Sequence, residues 1–182
     1  MKLSFHSGDR VFLILVIILT LAGLAIFSSA ALGLLARQNS SVSRDILMQT
    51  AFGFGFGFVA LFIARSIPLT RLKQLSPYAY GITLFLTLLV FVPGIGFHSG
   101  GATRWINLHF TTIQPAEFLK VGVVLALAWW LAPRARQLKN FKKGLLPFVA
   151  FVGIPALVLL MQPNTSTTLL ILATGAVMYF AA

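Results

Sequence analysis

Residues 11–36 read VFLILVIILTLAGLAIFSSAALGLLA, 26 positions without a single charge. A membrane-spanning helix needs about 20 largely apolar residues. The apolar core of a cleaved signal peptide is shorter, about 7–15, so the segment reads as a retained span even though Ser28, Ser29 and Ala30 faintly resemble a cleavage site. Comparable runs follow at 46–64, 78–92, 115–131 and 145–161, and a sixth opens at Thr165 and is still apolar at Ala182. The expected fold is all-α: a polytopic transmembrane helix bundle of five to six spans, one membrane domain over residues 1–182. No cap, polar flank or stop signal closes the last helix. The chain is therefore expected to be the N-terminal part of a longer bundle.

Composition agrees with that reading. Hydrophobic residues make up 58% of the chain and charged residues 9%, whereas soluble domains carry roughly 25% charged residues. The net charge of +11 would suggest nucleic-acid binding on a soluble protein. Here the basic residues flank apolar runs, where they orient helices instead. The N-terminus and the 65–77 and 132–144 loops hold two, three and five Lys or Arg, whereas 37–45, 93–114 and 162–164 hold two, one and none. The excess places the N-terminus of a multi-pass membrane protein in the cytoplasm. Cysteine is absent, which excludes disulfides and a thiol nucleophile. His6, His98 and His109 show no metal-ligand spacing.

In the second run, FGFGFGF (52–58) alternates like a strand. The run's length and its neighbours favour a helix, with Gly53 and Gly57 on one face at a spacing that allows close packing.

Polar chemistry concentrates in GGATRWINLHFTTIQPAEFLK (100–120). Gly94, Gly96, Gly100 and Gly101 free the backbone to turn tightly. Ile106, Leu108 and Phe110 alternate with Asn107, His109 and Thr111, which predicts a short extended segment with one apolar face. Pro115 suits the first turn of the fourth helix. Glu117 and Lys120 then lie three residues apart on one helix face, at a depth where charge is costly and usually functional. Two readings stand: an ion pair that only orients the helix, or an anion site in which Arg104 and Lys120 bind a phosphate-like group and Glu117 steadies Lys120. A second polar island, QPNTSTT (162–168), again has a proline at a helix start. Its hydroxyls would cap free N–H groups, or the helix start would share in an anion site.

Three motifs now come together: GATRWI (101–106), QPAEFLK (114–120) and Gln162-Pro163-Asn164 with Thr167. With Asp9-Arg10 before the first span and VPGIG (92–96) after the third, they resemble the SEDS family (FtsW/RodA/SpoVE), and VPGIG resembles its division-type branch. The resemblance runs along the whole chain. Thr103, Ala116, Asn164 and Ser166 depart from the usual family residues, Asn164 standing where Asp is common.

The resemblance implies a peptidoglycan glycosyltransferase that polymerises lipid II during cell division, as an inverting enzyme. Its site residues here would be Arg104, Trp105, Gln114, Glu117, Lys120, Gln162, Asn164 and Thr167. The family's catalytic aspartate is expected beyond residue 182. Asp9, Asp45 and Glu117 do not replace it, so residues 1–182 alone are expected to be inactive. Implied partners are lipid II, a class B penicillin-binding transpeptidase, other division proteins and membrane lipids. No cofactor is evident, and a divalent cation is left open. Lipid II flipping and a non-catalytic scaffold of the division machinery are the alternatives.

Overall fold

A computed structural model describes residues 7–35, 42–99, 101–107 and 112–182. The chain divides into two units, Met1–Ser66 and Ile67–Ala182, and each is described by itself.

The first unit holds α1 (Ser7–Leu35) and α2 (Val42–Ser66). Almost every described side chain of α1 is exposed, Phe12 at 70% and Leu19 at 71% among them. Such a surface is costly in water and natural against lipid tails. Gly53 and Gly57 do not bring the helices close. A Cβ on either would meet nothing within 4 Å, and both glycines line a cavity of about 750 Å³ with Thr20, Gly23 and Phe27 of α1.

The second unit holds α3 (Leu69–Leu89), a sheet of β1 (Gly96–Ser99), β2 (Ala102–Asn107) and β3 (Thr112–Ile113), then α4 (Pro115–Leu131), α5 (Leu146–Met161) and α6 (Thr165–Ala181). A 3-10 turn (Ala132–Gln137) and a π turn (Phe141–Leu145) join α4 to α5. The helical mass is as expected; the three strands, antiparallel in the order β1-β2-β3, add a small cap at one end.

Leu119, Leu127, Leu159 and Ile171 centre the core, and Trp130 is packed with them. At the end of α4, Trp130 lies 5.8 Å from the ring of Phe151 and is buried, while its neighbour Trp129 is only half-buried.

α3 begins nine residues before the run that predicted it. Its first turns carry Arg71, Lys73 and Gln74, and Pro77 lies inside the helix. A proline there removes one intrahelical bond, one turn after the exposed Lys73. Along the rest of α3, hydroxyls turn back onto their own helix: Ser76 to the Leu72 carbonyl, Thr83 to Ala79 and Thr87 to Thr83. Each satisfies itself where water is scarce. The small polar face they create lets α4 approach. A Cβ on Gly122 would collide with the Thr83 hydroxyl and sit 3.3 Å from the Ala79 carbonyl oxygen.

Among the described residues, Arg10–Ser29, Pro115–Ala135 and Phe141–Met161 are each by themselves long and apolar enough to cross a membrane, and Thr165–Ala181 is a shorter apolar helix.

The packing at Gly122 is testable. Gly122→Leu should overfill the α3–α4 contact and cost about 1–3 kcal/mol, lowering the unfolding temperature in detergent by several degrees. Gly81→Ala, which enters open space, should leave it unchanged. Equal melting of the two variants would show that the helices do not meet there.

Candidate functional site

The loop after α3 turns sharply through Gly94, at φ +89°, and Gly96 donates its N–H to the Val92 carbonyl at 3.3 Å. Gly101, at φ +78°, then reverses the chain between β1 and β2. Positive φ is cheap only for glycine, so these two residues fix where β2 starts. The strand runs over 102–107 and includes Ile106 and Asn107, the first two residues of the predicted extended segment; residues 108–111, and with them His109, lie outside the described residues. Thr103, at the first departure from the family pattern, has its hydroxyl 3.0 Å from His98 Nδ1. Arg104 and Trp105 are half-buried on β2, and β2 packs against α4.

Gln114 is extended and makes no side-chain cap, and Pro115 opens α4 in its first turn. Five residues on from Pro115, Lys120 Nζ lies 2.8 Å from Oε2 of Glu117, three residues before it. The expected pair therefore forms. Lys120 is the more enclosed partner, at 28% side-chain exposure against 55% for Glu117. It also borders a groove of about 280 Å³ between α4 and α6, walled by Val121, Val124, Leu170, Ile171 and Thr174. One cation thus stands at the edge of an apolar slot, steadied by a carboxylate. Such a place suits a ligand with an anionic head and an apolar tail.

The second polar island folds differently from the capping scheme. Pro163 precedes the helix rather than starting it, and Asn164, at the N-cap, makes no side-chain cap. The Thr168 hydroxyl donates to the Asn164 carbonyl at 2.9 Å. Gln162 instead reaches across the bundle, its Nε2 donating to the Thr87 carbonyl of α3 at 2.7 Å. Gln162 and Asn164 are 1% and 3% exposed, and Thr167 is buried in the first turn of α6. Thr87 is a participant that the sequence reading passed over. Its signal was a threonine pair, Thr83 and Thr87, four residues apart in an apolar run.

Among the described residues, three buried polar side-chain atoms have no protein partner: Arg104 Nε, Gln162 Oε1 and Asn164 Nδ2. Leaving such an atom unpaired costs about 1–3 kcal/mol, a cost usually met where a ligand or water completes the bonding. All three belong to the residues expected from sequence. α4 and α6 start at the same end of the unit and pack together, so the Glu117–Lys120 pair and the Gln162–Asn164 turn share that end with the sheet. Among the described residues, no hydrogen bond or ion pair joins Arg104 to Lys120.

Comparison with known proteins gives a consistent result. A family profile described as "Cell cycle protein", covering FtsW, RodA and SpoVE, matches residues 9–182. The "Probable peptidoglycan glycosyltransferase FtsW" of Geobacter sp. (strain M18) is 33% identical over 174 residues, 96% of this chain and 47% of that protein. Stage V sporulation protein E of Bacillus subtilis (strain 168) is 28% identical, over 97% of this chain and 48% of its own length. Among solved structures, the rod shape determining protein RodA of Thermus thermophilus superposes with a TM-score of 0.68 at 27% identity, covering 87% of this chain and 52% of that one. A chain of a peptidoglycan synthase complex that coordinates polymerization and crosslinking matches with a TM-score of 0.62 at 27% identity, over 82% and 44%. The chain spans about half the length of the curated relatives it matches. It is a membrane protein, and it belongs to the FtsW/RodA/SpoVE family of cell cycle proteins.

Proposed function

We propose that the protein acts, as part of a full-length SEDS bundle, as a peptidoglycan glycosyltransferase that polymerises lipid II during cell division. The observation that carries this reading is Lys120, paired with Glu117 at 2.8 Å and set at the edge of an apolar groove. Lipid II has the matching chemistry: a pyrophosphate, a disaccharide and a polyprenyl tail. The similarity to relatives named as probable peptidoglycan glycosyltransferases supports reading that amphiphile as a peptidoglycan precursor.

In the reaction, a sugar hydroxyl attacks the anomeric carbon of a lipid-linked disaccharide. A new C–O bond forms with inversion, the bond from that carbon to the pyrophosphate breaks, and the hydroxyl proton leaves to a base. Negative charge grows on the departing undecaprenyl pyrophosphate. Fixed cations stabilise such charge best where water is excluded, which is the role assigned to Lys120 and Arg104. Glu117 positions Lys120. Gln162 Oε1 and Asn164 Nδ2 offer an acceptor and a donor to polar groups of the substrate, with Trp105, Gln114 and Thr167 lining the same end. The base is assigned to a carboxylate outside residues 1–182, because Asp9 falls on the cytoplasmic side in this reading, Asp45 follows Arg44 in the first turn of α2, and Glu117 is engaged. Glu117 is also the only carboxylate in residues 67–182, so a divalent cation would draw its ligands from the substrate or from elsewhere. No organic cofactor is called for.

The reading places residues 1–182 in one multi-pass domain of the bacterial inner membrane, with five to six spans, the N-terminus in the cytoplasm and the sheet outside. It assigns a class B penicillin-binding transpeptidase as partner, in line with the synthase complex among the structural neighbours.

Two experiments test it. Lipid II polymerisation by the full-length protein, purified with its transpeptidase, should yield glycan strands. Lys120→Ala should lose about 100-fold or more in rate, in the range seen when a charge-stabilising donor is removed, and Glu117→Ala a smaller but clear fraction. Polymer formation at the wild-type rate in both variants would remove the pair from the site. No polymer from a well-folded wild type would turn the reading toward lipid II translocation.

Topology can be read with single cysteines, since the chain has none. A membrane-impermeant maleimide should label Ser99→Cys in cells with a permeabilised outer envelope, and Gln137→Cys only once the inner membrane is opened. The reverse pattern would invert the assigned orientation.

A further inference from the structure

The end of the second unit opposite the sheet carries seven of that unit's nine Lys and Arg residues: Arg71 and Lys73 at the start of α3, and five more in the α4–α5 connection. A helix-orienting charge bias needs only the charges, and an irregular loop would provide it. The connection is instead a built turn. The Asn140 side-chain oxygen accepts the N–H groups of Lys142 and Lys143 at 3.0 and 3.2 Å. Tyr179 on α6 donates its hydroxyl to the Leu138 carbonyl at 2.6 Å, and Leu138 is buried in the core. A Cβ on Gly144 would lie 2.5 Å from the Leu138 carbonyl oxygen, so the two arms of the turn close tightly and only glycine fits. Arg134 is folded back, with its guanidinium 5.4 Å from the Trp130 ring and donating to the Trp130 carbonyl.

The result is a platform that holds Lys139, Lys142 and Lys143 exposed. The unit's one carboxylate, Glu117, lies at the other end and is already paired. Phe141 stands among the lysines at 65% exposure. An exposed aromatic beside ammonium groups, on a turn tied directly to two apolar helix ends, is suited to headgroup depth. Clusters of basic residues at that depth attract anionic lipids. An acidic protein segment would satisfy the lysines but gives no role to Phe141 or to a turn tied to the bundle through Leu138.

We propose that the α4–α5 turn is a binding site for the phosphodiester headgroups of anionic phospholipids, with Lys139, Lys142 and Lys143 as the contacts and Phe141 as the interfacial anchor. The site is independent of the glycosyl-transfer reading and depends only on the chain being in a membrane.

The purified chain provides its own reporter, because Trp129 and Trp130 end α4 next to the turn. In a Trp105→Phe background, their fluorescence is quenched by lipids with brominated acyl chains in vesicles of phosphatidylcholine and phosphatidylglycerol. Brominated phosphatidylglycerol should quench as though enriched about two- to five-fold over brominated phosphatidylcholine. The triple variant Lys139→Gln, Lys142→Gln, Lys143→Gln should fall to parity, and Asn140→Ala, which keeps every charge, should lose part of the preference. Sodium phosphate should displace the lipid no better than sodium chloride of equal ionic strength, which separates a headgroup from free phosphate. Circular dichroism checks that each variant is folded. Parity in the folded wild type would overturn the proposal and leave an acidic protein segment as the occupant. A preference that survives in the folded triple variant would overturn it equally.

Discussion

Inside a bilayer a polar group that leaves water must find its partner within the protein, and the bond from Gln162 to the Thr87 carbonyl is where that demand shapes the second unit most. Gln162 follows α5 and Thr87 lies near the end of α3, 75 residues apart in sequence. Neither could be buried alone without leaving a strong hydrogen-bonding group unpaired. Their bond fixes the turn between α5 and α6 against α3, and so sets where α6 begins. α6 forms one wall of the groove beside Lys120. The placement of the site's charged residue relative to its apolar slot therefore rests on one amide and one carbonyl far from it in the chain.

The same demand explains the division of labour among the helices. α3 is the polar helix of the unit, and its hydroxyls are turned onto its own backbone. This leaves a smooth, small surface on which Gly122 of α4 can rest. α4 can then present its bulkier side chains, Leu119 and Leu127, to α5 and α6 in the core. Thr87 takes part in both roles: its hydroxyl is settled locally, while its carbonyl is used across the bundle.

How much of this was legible in the sequence follows from how local each feature is. The bounds of α4, α5 and α6 fall within a residue of the apolar runs, because Pro115 and the polar stretches 132–144 and 162–164 interrupt those runs sharply. α3 was read short because Arg71, Lys73, Gln74 and Pro77 all argue for a loop, and only packing on α4 extends the helix through them. The sheet was half legible. Alternation near Ile106 showed extended chain, but the pairing of β1 with β2 is decided by the left-handed conformations of Gly94 and Gly101, which residue periodicity does not encode. At the site, the Glu117–Lys120 pair was readable because three residues on a helix make neighbours. The reach of Gln162 to Thr87 and the buried, unpaired atoms of Arg104, Gln162 and Asn164 are tertiary facts, invisible to spacing. Capping by the hydroxyls was the local explanation for 162–168; the Thr168 hydroxyl is instead turned onto the Asn164 carbonyl, and Asn164 at the N-cap makes no side-chain cap.

The arrangement of charge has one more consequence. Between the basic turn and the sheet, residues 74–131 and 146–182 contain only three charges, Arg104 on the sheet and the Glu117–Lys120 pair. That pair is electrically neutral. A membrane potential does work only on net charge that moves through the field, about 2.3 kcal/mol per unit charge for each 100 mV. Rearrangements within the apolar middle of this unit that keep the pair intact would thus move almost no net charge.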